Sequence, residues 1–232
     1  MKLFEIIQRV QSLYSKGVQS DDSRLSARHI YNKLLTVRTR LLSQKSKQKQ
    51  KISDWSYQVI PCIEMMEVSE HDCPCAPPTA CTVKRSKYKI PRVLTDYNRN
   101  LIDYVMTIDG SDKFDFTTKS ELLHINGNKY TALKRRYIIS DEYLYAYGKD
   151  VPKLLQMRAL FEDPVKASEF ISYCPSETVD CMDIFDIEFP MDGDMVDVAI
   201  EFIVKELIDY FKQNIKDQTN DTRDNPTVIS QR

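Results

Sequence analysis

Apolar residues recur at helical spacing at both ends of this chain and in short alternating runs through its middle, and that change of period constrains the fold more than any single motif. A helix buries one stripe and a strand one face, so the order helix, strand, helix points to an α+β protein. The expected architecture is a bundle of N- and C-terminal helices with a central antiparallel β-domain of hairpins. With 232 residues the chain can bury a sizeable core as one folding unit with appendages.

The first helix is expected over residues 2–15, where Leu3, Ile6, Ile7, Val10, Leu13 and Tyr14 share a face and Gly17 supplies a stop. Asp21 or Asp22 can cap a second helix starting near Ser23. Its stripe is Ala27, Ile30, Tyr31, Leu34, Leu35, Val37, Leu41 and Leu42. Nine cations, Arg24, Arg28, Lys33, Arg38, Arg40, Lys45, Lys47, Lys49 and Lys51, interrupt it with no acid among them. That basic face is either solvated or in contact with an acidic protein surface or DNA phosphates. These helices make a hairpin over residues 1–52.

Residues 53–163 read as strands. The candidates are Trp55–Ile63, a hairpin from Thr107 to Phe116 around Asp109-Gly110, and Leu122–Tyr130 around Asn126-Gly127. Two further runs, Arg136–Ile139 and Tyr143–Tyr147, flank Ser140-Asp141-Glu142, and Lys153–Leu160 closes the set. The tyrosines fit half-buried sheet positions better than a stacking platform for bases. Residues 73–91, proline-rich and basic, have too little periodicity for an element and read as a long loop carrying contacts. Residues 164–217 are expected to form helices that pack on the N-terminal pair, with Val196, Ala199, Ile200, Ile203, Leu207, Tyr210 and Phe211 as core. Residues 218–232 form a polar tail in which Val228 and Ile229 resemble a strand-like hook.

Chemistry is harder to find. The five glycines stand apart, so neither a dinucleotide fingerprint nor a P-loop can be written. Three histidines, His29, His71 and His124, lack any nucleophile context. No catalytic residue, metal ligand or cofactor is assigned, and the chain is not expected to be an enzyme. The six cysteines suggest free thiols or a metal rather than a disulfide framework. His71, Cys73, Cys75 and Cys81 could approach zinc, but Cys-x-Cys is tighter than the usual ligand gap. No signal peptide or membrane span is expected.

The run SDDSRLSARHIYNKLLTVRTRLLSQK, followed by ISDWSYQVIPCIEM, HDCPCAPPTAC, GNKYTALKRRYIISDEYLY, LFEDP and EFPMDGDMVDVAIEFIVKEL, resembles ring proteins in the tails of crAss-like phages of Bacteroidales. That family is similar to the head–tail adaptor, or tail tubular A, proteins of short-tailed phages. The resemblance implies a virion structural protein of the tail, assembled in the bacterial host cytoplasm. It implies a ring of twelve copies below the portal that attaches the tail and lines the DNA exit channel. Portal, further tail ring or nozzle proteins, and DNA passing non-specifically are the implied partners, with no membrane. The residues expected at subunit or portal contacts are Arg24, Arg28, Arg38, Arg40, Lys84, Arg85, Lys87, Val228 and Ile229, with the acidic region 180–197 as a partner for the basic helix. The alternative is a nucleic-acid-binding phage protein that uses the basic helix at 24–51.

Overall fold

The computed structural model describes residues 1–15, 25–68, 83–96, 99–125, 134–148, 150–170 and 184–218. The protein is α+β and divides into two units, Met1–Leu41 with the chain from Gly193 onward, and Leu42–Asp192.

The first unit is helical. Helix α1 spans Leu3–Tyr14 and buries Leu3, Ile6, Ile7 and Val10, while Leu13, expected in the stripe, is exposed. Its first turn is closed by the Glu5 carboxylate, which accepts the Lys2 amide at 2.9 Å. Helix α2, Ala27–Lys47, buries Ile30, Leu34, Arg38 and Leu42 at successive intervals of four. Arg38 therefore belongs to the buried stripe and not to the basic face: four-residue spacing from Leu34 places it there. The last helix, Gly193–Gln218, is α5 by chain order; it buries Met195, Val196, Ala199, Ile200, Ile203 and Leu207. Tyr210, expected in its core, is 62% exposed. An Arg9–Asp197 ion pair of 2.7 Å joins α1 to α5, and Lys33 of α2 pairs with Glu206 of α5.

The second unit is built on a seven-stranded closed barrel. Its strands are β1 (Gln58–Glu67), β2 (Val83–Ser86), β5 (Ile102–Thr107), β6 (Lys113–Phe116), β7 (Arg136–Ser140), β8 (Tyr143–Tyr147) and β9 (Leu154–Ala159). Around the barrel the order is β1-β2-β8-β7-β6-β5-β9. β3 (Thr95–Asp96) and β4 (Arg99–Asn100) form a separate two-stranded ribbon. The hairpin β5–β6 pairs Val105 with Phe114 across the Asp109-Gly110 turn. Gly110 adopts φ +72° there, and Asp109 accepts the Ser111 amide. β7 and β8 pair from Arg136–Tyr147 to Ser140–Tyr143, leaving a two-residue loop.

Three expectations change here. The sheet is not wholly antiparallel, because β6 and β7 run parallel, and parallel neighbours need a crossover, supplied by the chain from 117 to 135. That crossover contains α3, Lys119–Ile125, where a strand was expected. The cause is a capping box: Thr118 Oγ1 accepts the Glu121 amide and Glu121 Oε2 accepts the Thr118 amide at 2.9 Å. Asn126-Gly127 lies outside the described residues. Third, β2 sits inside the stretch read as a loop. Its register pairs Lys84 with the fully buried Ala146, and Met65 with Ser86, so polar side chains face the interior and hide the alternation.

Ile60, Ile63, Val105, Phe114, Leu144, Leu155 and Met157 fill the barrel core, each burial contributing about 1.5–3 kcal/mol. Helix α4, Pro164–Phe170, packs on β1, so this segment lies with the barrel rather than with the N-terminal helices. Asp163 caps it by accepting the Val165 amide at 3.0 Å, with proline at the first helical position. The unit boundaries thus fall at 41/42 and 192/193, against 52 and 163 in the sequence reading.

Replacing Phe114 by alanine should lower stability by about 3–5 kcal/mol, read as a lower urea midpoint at unchanged slope. Tyr137 gives a second test. Burial pushes its phenol from 10.0 up to about 12. The unfolded chain then loses this proton first as pH rises, so the native state loses stability between those two values. Tyr137→Phe should fall less steeply over that alkaline window in pH-dependent urea melts.

Candidate assembly surface

The basic segment that follows the described start of β2 folds against acids of its own chain. Lys87 Nζ lies 2.8 Å from Glu64 Oε2 on β1, and this hydrogen bond raises the Lys87 pKa. Lys89 and Arg92 share the Glu142 carboxylate at 3.4 and 3.3 Å. Asp141 and Glu142 form the β7–β8 loop and both have positive φ, 54° and 66°. Left-handed geometry at two non-glycine residues matches the twist of a two-residue hairpin and costs backbone strain. Contacts on both sides of Glu142 offset it: its carbonyl accepts the Ile90 amide at 2.7 Å while its carboxylate holds the two cations.

Above this clamp, Arg85 stacks on the Tyr143 ring at 4.6 Å, and Lys89 lies 5.9 Å from the same ring. Lys84 is engaged differently, its ammonium donating to the Val151 carbonyl at 2.6 Å from the interior side of β2. Of the three cations predicted here as contacts, Arg85 and Lys87 are on the outside, and Lys84 is not. Beside the clamp opens a cavity of about 460 Å³ walled by Ile90, Pro91 and Phe170, with Lys89, Glu142 and Lys166 among its charges. Opposite charges in close alternation suit recognition of another polar protein surface, not concentration of a single-sign ligand.

On α2, Arg28 and Arg40 are exposed, whereas Arg38 is buried. Arg24, Val228, Ile229 and the cysteines and histidine of 71–81 lie outside the described residues. Of the acidic region, Asp192 lies 4.0 Å from Lys45 within the second unit. Among the described residues no cluster of three or more His, Cys, Asp and Glu could hold a metal, and no helix is long and apolar enough to cross a membrane. Cys62 on β1 is in a disulfide whose second cysteine lies outside the described residues. At Cys62 this departs from the expectation of free thiols.

Sequence reasoning missed Trp55. This single tryptophan sits on the 3-10 turn Asp54–Ser56 and is 79% exposed. Arg158 pins the turn, donating to Asp54 Oδ1 and Asp103 Oδ2, each at 2.9 Å, and lying 5.0 Å over the Tyr57 ring. Burial, then the Asp103 carboxylate, pushes the Tyr57 phenol upward. The available signal was Ser53, whose hydroxyl accepts the Trp55 amide and starts the turn before the strand.

This surface offers charged and aromatic contacts held in fixed positions, and the comparisons with known proteins agree with a role in assembly. A family model described as phage tail ring protein 2 matches residues 5–226. Ring protein 2 of Bacteroides phage crAss001 is 30% identical over 219 residues, covering 89% of this chain and 91% of that protein. The chain belongs to the phage tail ring protein 2 family.

Proposed function

We propose that this protein is a virion structural component that forms a homo-oligomeric ring in the phage tail, below the portal, and serves as the adaptor between head and tail. The observation that carries the reading is the family match over nearly the whole chain. Twelve copies, attachment to the portal and to further tail ring or nozzle proteins, and a channel lined for non-specific passage of DNA complete the proposal. Its mechanism is positional: rigid units hold interface side chains at fixed places around an axis.

The barrel suits this use. A closed sheet leaves no edge among its seven strands to pair indiscriminately with neighbours. Its contacts must then be made by side chains and turns, which specify partners better than backbone pairing does. Arg28, Arg40, Arg85 and Lys87 remain proposed contact residues, as do Arg24, Val228 and Ile229, while Arg38 and Lys84 support the fold from inside. Val228 and Ile229 would order on binding by adding to a partner's strand edge or groove.

The rival reading, a nucleic-acid-binding protein that uses the basic helix at 24–51, is disfavoured by the burial of Arg38 and by the ion pairs that already engage Lys33 and Lys45. Phosphate binding would have to break them.

Negative-stain microscopy and native mass spectrometry of the purified chain should give closed rings, with twelve copies expected; a chain that stays monomeric with or without the portal would count against the adaptor. Duplex DNA should bind weakly, with a log-log salt slope equivalent to about two phosphates or fewer; a slope equivalent to about five or more would favour the nucleic-acid reading. Deleting residues 218–232 should leave rings intact and abolish portal attachment. Unchanged attachment would exclude the tail as the anchor.

A further inference from the structure

Two helix faces of the first unit differ in charge and are exposed among the described residues. On α5, Val198 and Phe202 lie one turn apart and are 40% and 50% exposed. Asp194, Glu201 and Asp209 are exposed on the same side, with Lys205 as the lone base. On α2, Arg28, Asn32, Thr36 and Arg40 recur at intervals of four and are all exposed, in a helix that has no acidic residue. The ion pairs inside the unit engage other residues, Arg9 with Asp197 and Lys33 with Glu206. Among the described residues, Arg28, Arg40, Asp194, Glu201 and Asp209 form no ion pair.

We infer that neighbouring copies of this chain join head to tail through these two faces, α2 of one subunit against α5 of the next. The inference rests on the proposed ring. Charge selects the occupant. A symmetric contact would set α2 against α2 or α5 against α5 and oppose like charges, which costs specificity and affinity. A heterologous contact sets base against acid at every interface and, when the rotation closes, generates a ring. The Val198–Phe202 pair supplies an apolar centre for a contact whose rim is charged. On the facing helix, the half-buried Tyr31 and Leu35 stand next to the arginine row and offer it apolar surface.

The test uses two variants of the full chain. One carries Arg28→Glu and Arg40→Glu, making both faces acidic; the other carries Glu201→Lys and Asp209→Lys, making both basic. All four positions are exposed, so both variants should melt within a few degrees of the unaltered chain. Each alone should lose ring formation at least about tenfold at a given concentration. Mixed in equal amounts, they should recover rings in which the variants alternate, seen by native mass spectrometry as even-numbered assemblies of one-to-one composition. Rings that form unchanged from both single variants, or a mixture that fails to recover them, overturn the placement while the ring reading stands. A wild-type chain that forms no ring, alone or with the portal, overturns the ring reading and the placement with it.

Discussion

The pairing of β1 with both β2 and β9 is the constraint on which the second unit depends. It closes the sheet, and closure fixes the rest: seven strands cannot alternate direction all the way round, so one neighbouring pair has to run parallel. That pair is β6–β7, and its crossover is where α3 appears. The interior then fills with apolar side chains from every strand but β2. Polar groups that point inward, such as Ser86, are accommodated through backbone contacts: Ser86 Oγ accepts the Leu144 amide at 3.1 Å.

Where local chemistry dominates, the sequence was readable. The Asp109-Gly110 turn, the β7–β8 hairpin, the stripe of α1 and the amphipathic pattern of α5 all follow from spacing and turn residues. Lys119–Ile125 is a different case, because two signals competed over one stretch. Asn126-Gly127 suggested a hairpin, while Thr118 and Glu121 stood three apart as a capping box, and the box fixes the helix that forms there. β2 was missed because its inward residues are Lys84 and Ser86, which no hydrophobic pattern marks.

The contact surface was less legible, for reasons of burial. Composition reports how many cations a helix has, not which of them its packing takes up. Arg38 sits in register with Ile30, Leu34 and Leu42, so it belongs to the buried stripe, while Arg28 and Arg40 stay outside. The same holds on the barrel. Lys89 and Arg92 meet Glu142 across about fifty positions of sequence, and only the hairpin's place in the sheet brings them together.

Trp55 has an optical consequence. A protein with one tryptophan usually reports its folding through that residue, because the indole moves from water into a core. Here the indole is wet in the folded chain, so its emission changes little when the barrel unfolds, and the thirteen tyrosines report that event instead. Tryptophan fluorescence is left free to register what covers the Asp54–Ser56 turn. Folding and docking on that face of the barrel can therefore be followed separately, at two wavelengths, in one unlabelled sample.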